Sequence, residues 1–180
     1  MEVFMKKLVL FSLVAFLWAP LAGIATSFPV KPSVSIALGY EPLLFSPPKP
    51  SYFRIGYQLI AWVSADTTGS PDIFKTADVY VGTALPNGQF ASWVQNGTEP
   101  PVWRVDAVPL PLMKSILLDT TSLLSPLQHT FSDGDPLGFY IAYALLVLPG
   151  TDPLDSLNWI DVSTVPFKLA PALATPRITR

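Results

Sequence analysis

Cysteine is absent from the 180 residues, so the chain can form no disulfide, offers no thiol nucleophile and has no thiolate metal site. Histidine occurs once, as His129, too few for a zinc site built from several His or Cys ligands. No Gly-x-Ser-x-Gly elbow presents a serine for a Ser-His-Asp triad, so His129, in Gln128-His129-Thr130, reads as a polar loop histidine. Charge is scarce as well: 13% of residues are charged and the net charge is −2. No basic cluster could neutralise a run of phosphates, which disfavours nucleic acid. The lysine-poor chain gives no reason for electrostatic attachment to a membrane. Long apolar runs are missing beyond the first 25 residues. The run at 139–148 stops at Pro149-Gly150, too short for a spanning helix and suited to a buried strand.

What is present begins with an export signal. Lys6 and Lys7 precede an apolar run at 8–18 broken only by Ser12, Pro20 ends it, and Gly23 and Ala25 are the small residues before a cut. The run is about half of the roughly 20 residues that a membrane anchor requires. The expectation is a signal peptide over 1–25, cleavage after Ala25, no membrane span thereafter, and a secreted chain destined for the periplasm, cell surface or medium. The remainder, roughly 155 residues, is long enough for one domain with its own core.

Residues 26–50 are proline-rich, and proline withholds an amide donor, so this segment can give at most an edge strand. Val34, Ile36, Leu38 and Tyr40 alternate within it. Residues 52–64 alternate over the longest stretch, with Phe53, Ile55, Tyr57, Leu59, Ala61 and Val63 on one face, and predict one long strand. A turn cluster at 66–72 precedes a short strand at 78–83. Pro86-Asn87-Gly88 predicts a hairpin turn into a strand at 89–95. Further strands are expected at 102–105 and 115–120, the latter competing with a helical turn. Residues 138–148 are apolar on both faces, as in a central strand. The last strand, 159–169, slips phase in a way that a β-bulge near Ser163-Thr164 would explain, and Pro166 marks it as an edge. Residues 170–180 carry no pattern and read as a flexible tail.

About seven strands with proline and glycine turns predict an all-β, two-sheet antiparallel sandwich over 51–169, with a closed barrel as the alternative. Asp135-Pro-Leu-Gly138-Phe-Tyr140 resembles the segment of immunoglobulin-like and fibronectin-type-III-like sandwiches in which a tyrosine closes a corner before the penultimate strand. Here one extra residue separates Asp135 from Gly138. The stretch DGDPLGFYIAYALLVLPGTDPL, followed by NWIDV, is also similar to sandwich domains of secreted bacterial surface proteins. The resemblance implies a structural or adhesive domain of immunoglobulin-like fold with no catalytic residues.

Binding chemistry has few candidates. Trp62 and Trp93 fall opposite the more apolar faces of their strands, where they would stack on sugar rings if exposed and fill the core if not. Asp133 and Asp135 before the 138–148 strand, with Asp152 and Asp155 after it, are either turn formers or calcium ligands, should their loops meet. A glycosidase would need two carboxylates, yet after residue 25 the only glutamates are Glu41 and Glu99, each before a proline. Asn96-Gly97-Thr98, a glycosylation sequon, reads as a turn. The sequence therefore describes a non-enzymatic envelope or extracellular module. The expectation is binding to a protein partner or to itself through strand edges, or alternatively to carbohydrate through surface Trp and Tyr.

Overall fold

The structure is a computed structural model that describes residues 32–41, 52–66, 76–117, 122–123 and 126–172. The expected leader, most of the 66–72 turn and the end of the tail lie outside the described residues. Among those described, eleven strands carry the fold and there is no α-helix. The strands are β1 (Ser33–Glu41), β2 (Tyr52–Arg54), β3 (Gln58–Asp66), β4 (Thr76–Ala84), β5 (Phe90–Val94) and β6 (Val102–Asp106). Then come β7 (Met113–Leu117), β8 (Ser122–Leu123), β9 (Leu127–Thr130), β10 (Gly138–Val147) and β11 (Trp159–Ala170), with one 3-10 turn at Ser156–Asn158. No helix among them is long and apolar enough to cross a membrane.

The chain is all-β, in two sheets. In the smaller sheet β3 pairs with β1 along nine positions on one side, and with β8 and β9 on the other. The larger sheet runs β2-β11-β10-β4, then β5 and β7 side by side along β4, with β6 outside β5. Every pairing is antiparallel except β2 on β11, and the fold includes a curled, half-barrel sheet. Alternation decides which side chains the sheets share. Val34, Ile36 and Leu38 from β1 and Leu59, Ala61 and Val63 from β3 meet Val79, Val81, Trp93, Tyr140, Ala142 and Leu146 in one core. β10 lies between β11 and β4 and is apolar on both faces. Its Tyr143, Leu145 and Val147 join Tyr80 and Phe90 in a second cluster on the outer face, under Leu154 of the 148–158 connection and Trp159 at the start of β11.

Three expectations are corrected. The single strand at 52–64 is two strands in different sheets, because Gly56 adopts φ +88 and turns the chain. The corner is locked by Gly56 N–H donating to the Phe131 carbonyl (2.8 Å) and Phe131 N–H donating to the Tyr57 carbonyl (3.0 Å). The bulge in β11 falls at Ile160, not Ser163-Thr164: Leu146 pairs with Asp161 and Val147 with Trp159, leaving Ile160 as the extra residue. Ile160 thus enters the core while Val162 packs on the outer cluster. Nor is β11 an edge along its whole length, since β2 pairs with its last three residues. Pro166 sits on the stretch that β2 leaves open.

Along that stretch the sheets are stitched by side chains. Val34 N–H donates to Asp161 Oδ2 at 2.7 Å, and Ile36 N–H to Ser163 Oγ at 3.3 Å. The outward amides of Val34 and Ile36 are thereby satisfied without a strand beside them.

Candidate functional site

The opposite seam, where β6 comes near β9, presents an exposed strand edge at the end of the larger sheet. Its geometry starts from the β4–β5 hairpin. Gly88 N–H donates to the Leu85 carbonyl, Leu85 N–H to the Gln89 carbonyl, and only Gly88 (φ +85) uses positive φ. This is a type I turn, with Pro86 at its second position, followed by a left-handed glycine. The bond between Leu85 and Gln89 fixes the parity of everything that follows, because hydrogen-bonded pairs alternate along an antiparallel ladder. Ala91 directs its backbone groups to β4, so Phe90, Ser92 and Val94 direct theirs to Asp106, Arg104 and Val102 of β6. The N–H and C=O groups of Trp103 and Val105 consequently face away from β5.

Pro100 and Pro101 precede β6, and Pro109 and Pro111 follow it. Val102, Arg104, Val105 and Asp106 are all exposed, Val105 at 51%. The following segment does not cover the edge. Leu110 N–H donates to Ser92 Oγ (3.1 Å), itself 3.1 Å from Tyr143 Oη, drawing residues 107–112 back over β5.

Trp103 points inward and closes the seam. Its ring stands edge-on to Trp93 (centroids 4.5 Å) and stacks on His129 (4.2 Å, 14° between planes). Trp93 Nε1 donates to the Gln128 carbonyl of β9 at 3.1 Å, tying the sheets together. His129 is therefore on a strand, a correction to the expected loop: Leu127–Thr130 is too short and polar to show a period, and β3 supplies its pairing. Burial lowers the pKa of His129, and Asp135 beside it (Nε2 to Oδ1, 3.3 Å) opposes that shift. Ser132 also bonds Asp135, its N–H at 2.8 Å and its Oγ at 3.1 Å. The carboxylate, not the imidazole, is the hub. A triad needs histidine between serine and acid, so these three residues form no proton relay. Next to them Tyr140 Oη donates to the Pro136 carbonyl at 2.6 Å and closes the corner before β10, and burial followed by Asp135 raises the pKa of its phenol.

The candidate residues disperse. Trp93 is 1% exposed and fills the core, the second of its two readings: the hairpin parity that aims Ala91 inward aims Trp93 inward as well. Trp62 is 42% exposed on the outer face of the smaller sheet, opposite Ala37, with the Ser35–Ser64 and Gln58–Gln128 side-chain pairs on the same face. The two tryptophans thus share no platform. The acidic loops do not meet either. Asp133 and Asp135 lie before β10 and Asp152 and Asp155 after it, and ten extended residues span about 30 Å. Asp152 Oδ1 accepts from Leu154 N–H and Asp155 Oδ1 from Leu157 N–H, which is turn chemistry. Among the described residues no three His, Asp or Glu side chains are placed to share a metal ion.

One polar site escaped the sequence reading. Asp78 in β4 is 2% exposed, and its carboxylate accepts from Ser115 N–H (2.6 Å) and Gly150 N–H (3.0 Å). An aspartate opening the apolar run Val79-Tyr80-Val81 is the signal that could have flagged it.

No family model, curated protein or solved structure matches the chain.

Proposed function

We propose that this chain is an exported, non-catalytic, immunoglobulin-like sandwich that serves as a structural or protein-binding module of the cell envelope or extracellular space. The open edge of β6 carries the reading. Two outward amide and carbonyl pairs, flanked by exposed valines and a charge of each sign, are what strand addition requires. The Tyr140–Pro136 corner and the shared two-sheet core support the immunoglobulin-like assignment, and the acid-centred Ser132-Asp135-His129 group supports a non-catalytic role.

Val105→Pro tests it. Proline there removes an outward amide and leaves the β5–β6 ladder intact. After mild crosslinking in native envelope and secreted fractions, the wild-type chain should recover one stoichiometric protein and the variant should not, at unchanged melting temperature. Equal recovery by both would remove β6 from the interface. The runner-up is carbohydrate binding at Trp62, favoured by its exposed ring among hydroxyl and amide pairs. Recovery of polysaccharide that Trp62→Ala abolishes would put that reading first.

A further inference from the structure

We propose that the partner taken by β6 is a second copy of this chain, its β6 running antiparallel to the first across a two-fold axis at Val105. The inference rests on the reading of β6 as the binding edge and goes on to name its occupant.

Register follows from parity and charge. Within β6 Trp103 and Val105 face outward, and parity extends the set to Ala107, whose N–H donates to Asp106 Oδ1 at 2.6 Å, so an antiparallel pair sets odd-numbered residues opposite one another and the permitted registers differ by two-residue steps. With the axis at Arg104, the two arginines oppose each other and Asp106 lies against Val102. With the axis at Trp103, Arg104 lies against Val102 and Asp106 passes beyond the partner strand. With the axis at Val105, Arg104 lies opposite Asp106 of the second copy, and Asp106 opposite its Arg104. Both pairs then occupy positions without backbone hydrogen bonds, where facing side chains are closest. This is the one register in which every charge on the strand meets its opposite.

Exposed apolar groups fall into the same register. Val105 meets Val105, and it is exposed in the single chain. Prolines bound the pairing, because Pro101 precedes the strand, Pro109 follows it and neither can donate to a ladder. The contact uses one surface on both copies and closes on itself, giving a discrete dimer and no filament.

Sedimentation velocity over a concentration series tests this on wild-type, Arg104→Asp, Asp106→Arg, the double exchange and Val105→Pro chains. Wild type should dimerise reversibly. Each single reversal sets like charges opposite one another twice and should weaken dimerisation by roughly tenfold or more. The double exchange should restore it, and the two single variants mixed together should form the heterodimer that neither forms alone. A wild-type chain monomeric throughout, or a dimer indifferent to the reversals and to Val105→Pro, would overturn the proposal. In the monomeric case, capture of a different protein that Val105→Pro abolishes would leave the edge reading standing without self-pairing. Loss of both would remove both.

Discussion

Replacing Asp78 by alanine probes the most deeply placed carboxylate contact in the described structure. The side chain is 2% exposed and holds two segments from distant parts of the chain. Ser115 sits at φ +50 in a bulge where β7 spends two residues opposite Asp78, and Gly150 sits at φ +73 in the turn after β10. Both amides donate to the carboxylate, at 2.6 and 3.0 Å. A hydrogen bond to a charged group contributes about 1.5–3 kcal/mol, so losing two sets a ceiling near 6 kcal/mol. Alanine also relieves the desolvation of the carboxylate, and the exposed Ser115 and Gly150 can turn their amides to water. The net loss should be about 3 kcal/mol, or roughly 6–12 °C in melting temperature for a chain of this size. Urea unfolding followed by tryptophan fluorescence gives the free energy, and amide exchange at Ser115 and Gly150 localises it. Asp78→Asn retains one acceptor and should lose about half as much. A loss under about 1 kcal/mol for alanine, or unchanged exchange at both amides, would show that Asp78 does not hold the two segments.

Tyr140→Phe removes the donor to the Pro136 carbonyl and should destabilise by about 1–2 kcal/mol, measured by the same unfolding assay; no change would mean the corner is held by ring packing alone. His129 has a folded pKa below its ordinary 6.5, so the unfolded chain takes up the proton first. Its contribution is present above pH 6.5 and is lost as pH falls from there toward the folded value. His129→Phe keeps a ring against Trp103 and should flatten the fall of melting temperature with pH in that window, whereas identical slopes would exclude His129 as its source.

Much of the strand content was legible because period-two alternation records burial directly, as in Leu59, Ala61 and Val63 of β3 and in the doubly apolar β10. The Asn87-Gly88 turn was legible because the need for positive φ at Gly88 is local. What escaped was set by contacts between elements. Gly56 keeps the alternation in phase across a break, so Phe53 and Leu59 look like one strand while serving two sheets. β9 has too few residues for a period, and its place follows from pairing with β3 and the stack of His129 on Trp103. Trp62 and Trp93 have similar neighbours in sequence, yet hairpin parity buries one and a strand's outer face exposes the other. The open edge of β6 could not be read from Val102-Trp-Arg-Val-Asp106 alone, since which amides face out depends on the hydrogen bond between Leu85 and Gln89.

The seam between β1 and β11 imposes an order in time. The amides of Val34 and Ile36 find their acceptors 127 residues further on, at Asp161 and Ser163, and Tyr52 of β2 pairs with Lys168. When such a chain emerges from its N-terminus, its first strands have no neighbour on that side until almost all the rest has followed. Loop closure over so long a separation is slow, and unpaired edges are open to the wrong partner meanwhile. A chain cut short before Asp161 would hold nearly every element of the core and still be unable to shut. The last strand is therefore the one that tells the first where to stop.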